Sequence, residues 1–244
     1  MLRLFAILRQ GLLLPLLDWA FPTFGRRGYL TGSNYIWGWE MNRLARETIG
    51  AAGGAVLGER YLPIESVDVA RMIDEISVSQ PDFILNSLIG PSSYAFLQAY
   101  AALGRVNSRF HPDRCPVLSC NLTECELADI GDAANGVIAA GPYFQDGSAR
   151  FASSVEAAAD RAVHLLAELL EQSPDAQNIS ELLRSQAGLH SGIDPRTHHT
   201  SQQVLIARVD QGAFQVVHNA GLLAGDPYLT QDLPKAPRRL RVVS

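Results

Sequence analysis

The sequence predicts an α/β fold: a doubly wound parallel sheet, followed by a helical segment and a C-terminal β-hairpin. Three observations carry this reading. From Tyr29 onward, five short β-prone runs are separated by four helical patterns, which implies parallel strands joined by right-handed crossovers. The runs FILNSLI and GVIAA are apolar on both faces, as strands covered by helices on either side are. Past Phe144 the alternation stops, and a long helical pattern leads to two alternating runs joined by a glycine-containing turn.

The opening MLRLFAILRQGLLLPLLDWAF is apolar but interrupted by Arg9 and Asp18, far short of the roughly 20 residues of a membrane span. No A-x-A-like cleavage site follows it, so residues 1–28 are set apart as an unrelated N-terminal segment holding a short amphipathic helix. Residues 29–144 form the expected lobe. GYLTGS leads into WEMNRLARETIGAAGG, where Leu44, Ala45 and Ile49 share one side and Gly53 and Gly54 end the helix. AVLGERYLP leads into SVDVARMIDEISVSQ, with Val69, Met72, Ile73 and Ile76 at helical spacing and Ser66 as the expected N-cap. DFILNSLIG leads into PSSYAFLQAYAALG, with Pro91 near the start and Gly104 near the end. CPVLSCNL leads into TECELADIG, where Thr123 and Glu126 have capping-box spacing, and GVIAAGPYF closes the lobe. Residues 145–190 then give the helical patterns SSVEAAADRAVHLLAELLEQ and NISELLRSQ, the second opened by Asn178 and Glu181. Residues 191–244 hold the hairpin QVLIARVD and GAFQVVH and a tail rich in proline and charge.

Composition narrows the function classes. The chain has 244 residues, 47% hydrophobic and 18% charged, with a net charge of -5, which argues against a phosphate-binding surface. Its basic cluster, Arg238, Arg239 and Arg241, sits in the tail and reads as a solvated end. Cys115, Cys120 and Cys125 are odd in number and lack the spacing of a zinc site, so they read as unpaired thiols. There is no nucleophile elbow around Ser92 and Ser93. His198 and His199 are adjacent, so on a strand they face opposite ways, and Asp194 before Pro195 reads as a turn residue. The glycines Gly50, Gly53, Gly54 and Gly58 follow a helix rather than a strand, the reverse of a dinucleotide fingerprint. The expectation is a protein with no catalytic residues, no metal and no cofactor.

In an open α/β sheet, ligands bind beyond the carboxyl ends of the strands. That places Ser33, Tyr35 and Trp37 after the first strand, Ile89 and Ser92 after the third, Asn121 and Thr123 after the fourth, and Tyr143 after the fifth. The lining is aromatic, hydroxyl and amide, and it suits a small neutral or zwitterionic ligand. Each residue also has a purely structural reading: Ser92 and Thr123 as helix-start residues, Tyr35 and Tyr143 as plugs of strand ends, Ile89 as core.

Taken in order, GSNYIWGWEMNR, GGAVLGERYLP, FILNSLIGPSSYAFLQAY, VLSCNLTECELADIG and AAGPYF resemble the C-terminal lobe of the type I periplasmic-binding-protein family. The similarity is to the branch of aliphatic-amide regulators and of urea, short-chain amide and branched-chain amino-acid receptors of ABC transporters. HHTSQQVLIARVDQGAFQVV and DPYL resemble that branch's closing hairpin and tail. The resemblance implies two Rossmann-like lobes closing on a ligand without catalysis. It implies ligand-facing roles for Tyr35, Trp37, Ile89, Asn121 and Tyr143, with Ser33, Ser92 and Thr123 as further candidates, and it leaves Trp39 to packing at the helix start. Gly38 stands where relatives often carry proline, so a looser turn is expected there.

The family's N-terminal lobe of about a hundred residues has no counterpart before GSNY, so a truncated receptor is expected, with the helix of 145–190 normally part of that lobe and its apolar face poorly covered. The partners implied are an amide, urea or amino acid together with an ABC permease, in the periplasm. For an amide sensor they are an antitermination regulator, in the cytoplasm. Exposed apolar surface would favour an oligomer, and a non-functional fragment is the remaining alternative.

Overall fold

The computed structural model describes residues 2–145, 150–194 and 199–224, with side chains from Gly11 onward except that of Ala187. Pro195, His198, the arginines at 238, 239 and 241 and the DPYL motif lie outside the described residues. The described chain forms two compact units, one from Leu17 to Leu118 and the other of the residues up to Leu16 and from Ser119 onward.

The opening segment is helical over a longer span than its sequence suggests: α1 runs Leu2–Phe24. Leu12, Leu13, Leu16, Leu17, Ala20 and Phe21 are buried, which at steps of one and three residues makes one continuous apolar face. The Phe21 and Phe83 rings meet at 6.0 Å between centroids. Among the described residues no helix is long and apolar enough to cross a membrane.

The Leu17–Leu118 unit continues with β1 (Arg27–Ser33), α2 (Ile36–Ala51), β2 (Ala55–Leu62), α3 (Ala70–Ser79), β3 (Phe83–Ser87), α4 (Gly90–Val106) and the start of β4 (Val117–Ser119). The strand order β2-β1-β3-β4 is parallel throughout, with Leu30 opposite Leu85 and Leu85 opposite Leu118. Strands β1 and β3 are buried along almost their whole length, the continuous apolar run that a sheet covered on both faces requires. Met41, Leu44, Ala45 and Ile49 of α2 and Met72 and Ile76 of α3 face this core. The boundaries of α3 and α4 differ from the sequence reading. Helix α3 begins at Ala70 with Val69 as N-cap, because Ser66 is held in a turn by its N–H donating to the Pro63 carbonyl, 3.0 Å, beside Glu65 at positive φ. Helix α4 runs two residues past Gly104, which lets the helix backbone pass close to Phe110.

The other unit holds α5 (Glu124–Ile130), β5 (Ile138–Gly141), α6 (Ser154–Gln172), α7 (Ile179–Arg184), α8 (Gln186–His190), the short pair β6 (Ile193–Asp194) and β7 (His199–Thr200), and β8 (Gln202–Asp210) with β9 (Ala213–Leu223). Strand β8 runs antiparallel to both β5 and β9. The hairpin turn is Gln211–Gly212, both at positive φ (48° and 75°), the geometry that matches the twist of the flanking strands. The rings of Phe144 and Phe214 pack at 4.5 Å. Helix α6 starts on Ser153, whose Oγ accepts from Glu156 N at 3.2 Å, and α7 on Asn178, whose Oδ1 accepts from Glu181 N at 3.0 Å. As the sequence suggested, α6 leaves apolar side chains uncovered: Val155, Val163, Leu166 and Leu170 are all exposed.

Candidate ligand-binding surfaces

At the carboxyl end of the parallel strands in the Leu17–Leu118 unit, backbone and side chains lock the loops after β1 and β3 together. Ser33 is fully buried, and its Oγ accepts from Ile89 N at 3.1 Å, so two of the sequence-derived site residues are joined directly. The organising side chain is Asn86, at the end of β3. Its Oδ1 accepts from Thr31 Oγ1 (2.9 Å) and from Leu88 N (3.2 Å), while Nδ2 donates to Ser93 Oγ (2.9 Å). One buried amide therefore ties β1, the β3 bend and the first turn of α4. Sequence reasoning missed it, although a lone polar residue inside FILNSLI is the signal for such a role. Ser92 is buried at the start of α4 with no hydrogen-bond partner for its Oγ, which leaves its helix-start reading without a capping bond.

The GSNYIWGWE stretch resolves into distinct jobs. Tyr35 is the N-cap of α2, half-buried in extended backbone, and burial pushes its hydroxyl above the ordinary tyrosine value. Trp37 is 4% exposed and belongs to the core. Trp39, which the sequence assigned to packing, is 46% exposed, with Nε1 donating to Asn34 Oδ1 at 3.0 Å. The accessible indole beside Tyr35 is thus Trp39, because the helix starts three residues earlier than its pattern suggested and takes in Trp37 one turn before Met41 on the buried face, with Trp39 about 200° round from it. Gly38 makes the turn tight rather than loose: a Cβ there would fall within van der Waals contact of the Ser33 carbonyl oxygen and 3.2 Å from its nitrogen.

In the other unit, Asn121 Oδ1 accepts from Ser119 Oγ at 2.9 Å, and Thr123 closes the expected capping box, its N–H donating to Glu126 Oε2 at 3.1 Å. Tyr143 is pinned, its hydroxyl donating to the Phe151 carbonyl (2.6 Å) and accepting from Phe151 N (3.0 Å). It lines a cavity of about 820 Å³ together with α6, His190, Ser201, Gln202 and Gln203; neither Asn121 nor Thr123 reaches this cavity. Sequence reasoning did not anticipate this cavity, because its walls come from separate segments spread between Pro142 and Leu222. Burial raises the Cys115 thiol to about 11 and Cys120 further, so both are inert at neutral pH. Among the described residues no group of three His, Cys, Asp or Glu side chains could hold a metal ion.

A family model described as a periplasmic binding protein domain matches residues 10–162. The chain belongs to that family. The match begins inside the segment set apart as residues 1–28, so the second half of α1 falls within the periplasmic-binding-protein domain. Solved structures with the same fold include a solute-binding protein of an R. palustris ABC transporter in complex with 4-hydroxybenzoate (TM-score 0.70, 20% identity, 91% of this chain and 67% of that chain). An ABC transporter substrate-binding protein from Sphaerobacter thermophilus aligns with TM-score 0.70 and 21% identity over 88% of this chain and 66% of that one. A putative branched-chain amino acid ABC transporter protein from Rhodospirillum rubrum aligns with TM-score 0.64 and 18% identity, over 86% and 65%. The periplasmic-binding-protein chain described here thus spans about two-thirds of the length of these structures.

Proposed function

We propose that this chain is the ligand-binding lobe of a solute receptor of the ABC-transporter type, taking a small amide, urea or amino acid and working with a permease. The observation that carries the reading is the uncharged, cross-tied loop pair at the ends of β1 and β3, Ser33 to Tyr35 and Leu88 to Ser93, in a chain of the periplasmic-binding-protein family. Loops so braced present fixed hydrogen-bonding groups without a net charge, which is what a small uncharged or zwitterionic solute needs. The solute-binding proteins that share the fold, one holding 4-hydroxybenzoate and one named for branched-chain amino acids, support a small organic solute as the class.

In the Leu17–Leu118 unit the residues assigned to the solute are Tyr35, Trp37 and Ile89, with Ser33 and Ser92 in support; Asn121, Tyr143 and Thr123 remain candidates of the other unit taken by itself. Tyr35 and Ile89 present surface to the solute, and buried Trp37 and Ser33 hold them in place. The test is titration with acetamide, urea, leucine, valine and 4-hydroxybenzoate while following tryptophan fluorescence, since exposed Trp39 lies four residues from Tyr35. The expected result is saturable quenching by at least one solute, lost in Tyr35→Ala. A folded protein that answers none of them refutes the reading.

A second reading, an amide sensor acting through a protein partner, draws on the uncovered stripe of α6, since exposed apolar faces of this kind mark contacts with other chains. Elution as a monomer with no self-association or partner at micromolar concentration counts against it.

A further inference from the structure

We infer that the cavity along α6 is a binding site in its own right, for a zwitterion of about dipeptide length. Its lining takes in Tyr143 but no residue of the loops after β1 and β3, and the inference does not rest on the receptor reading. The cavity measures about 820 Å³, ample for a dipeptide, and every residue lining it lies between Pro142 and Leu222.

Its charges are arranged for an extended ligand with opposite ends. Arg161 and Glu168 both line the cavity, and among the described residues neither side chain has an ion pair or a hydrogen bond, whereas Asp160 is held by Arg150 at 3.6 Å and lies 3.5 Å from His164. Seven residues apart, the two sit on one helix face about 10 Å apart along the axis, and both side chains lean toward the helix N-terminus, so their heads stay well separated. A cation and an anion at that distance cannot neutralise each other. An α-amino acid is too short to meet both at hydrogen-bond distance, whereas an extended dipeptide spans up to about 7 Å and, with a hydrogen bond of about 3 Å at each end, bridges them.

The rest of the lining suits the middle and the amino end of such a molecule. His164 Nδ1 donates to the Asp160 carbonyl (2.9 Å) and His190 Nδ1 to the Gln186 carbonyl (2.6 Å), which leaves Nε2 of each ring outside these bonds. Gln172, Gln202 and Gln203 bring side-chain amides that both donate and accept, the complement of a peptide group. In this pose Arg161 takes the ligand carboxylate, and Glu168 takes the ammonium with a histidine Nε2 beside it.

The experiment is isothermal titration calorimetry of the full chain at pH 7.5 with Ala-Ala, alanine, N-acetyl-Ala-Ala and Ala-Ala amide, on the wild type, Arg161→Gln and Glu168→Gln. Thermal melts confirm that each variant is folded; both positions are exposed on α6. The expected result is saturable binding of Ala-Ala at least tenfold tighter than alanine. Arg161→Gln weakens Ala-Ala about tenfold yet leaves Ala-Ala amide unchanged, and Glu168→Gln shows the mirror pattern with N-acetyl-Ala-Ala. No heat with Ala-Ala on folded protein, equal affinity for alanine, or indifference to both substitutions overturns the proposal. The fluorescence response to solutes at the strand-end loops is read in the same Arg161→Gln protein and stays as in the wild type. Failure here is therefore distinguishable from failure of the receptor reading.

Discussion

Replacing Gly38 with alanine tests whether the turn from β1 into α2 is as tight as the structure describes. On helix propensity alone the change is favourable, since alanine exceeds glycine by about 1 kcal/mol inside a helix. At Gly38 the new Cβ falls inside contact distance of the Ser33 carbonyl oxygen, which is backbone and cannot rotate away. Relief requires α2 to move off β1, an overpacking cost of about 1–3 kcal/mol that opposes and outweighs the propensity gain. Gly50 is the internal control, because it lies in the last turn of the same helix and a Cβ there meets nothing within 4 Å. Gly50→Ala is therefore expected to stabilise by up to about 1 kcal/mol, while Gly38→Ala is destabilising by up to about 2 kcal/mol net. The two variants differ by the overpacking cost, so at about 2–4 °C per kcal/mol for a chain of this size, calorimetric melts should separate them by roughly 2–12 °C. Because Ser33 Oγ also holds Ile89, Gly38→Ala should weaken solute binding as well. A Gly38→Ala protein as stable as Gly50→Ala refutes the argument.

Three further outcomes follow from single groups. Asn86→Ala removes three buried hydrogen bonds, those from Thr31 Oγ1 and Leu88 N and the one to Ser93 Oγ, so urea denaturation should show a loss of about 2–4 kcal/mol, well above a surface substitution. Glu75 is held down to about 2, chiefly by hydrogen bonds from Arg60, against a smaller opposing effect of burial and with help from Tyr29 and Arg71. A depressed carboxylate contributes stability above its unfolded value of 4.5 and loses it as pH falls toward 2, so the melting temperature should drop across that window in the wild type and drop less in Glu75→Gln. Thr123→Ala removes the side-chain half of the α5 capping box and should cost about 1 kcal/mol in chemical denaturation, with Thr123→Ser close to wild type.

The alternation of apolar runs and helical patterns was enough to place β1 to β5 and the helices between them, because a buried parallel strand must be apolar on both faces and an amphipathic helix must repeat every three to four residues. Capping residues Thr123 and Asn178 were legible for the same local reason: a helix start needs an acceptor for its free N–H groups, and the sequence supplies one at fixed spacing. The order of the strand-end motifs likewise pointed to the periplasmic-binding-protein family that the matching domain bears out.

What the sequence did not determine depends on which residues meet across long separations. The roles of Trp37 and Trp39 turn on where α2 begins; a start at Ile36 puts Trp37 on the helix one turn before Met41, on the buried face, and leaves Trp39 on the side away from it. Asn86 became a hub only because β1 and the first turn of α4 converge on it, and Ser66 lost its capping role to a turn held by Pro63. The cavity on α6 exists only where that helix, Tyr143, His190 and the start of β8 come together. Local periodicity and capping chemistry are written along the chain, whereas burial, close approach and the pairing or isolation of charges are properties of the packed molecule, and tertiary structure alone decided them.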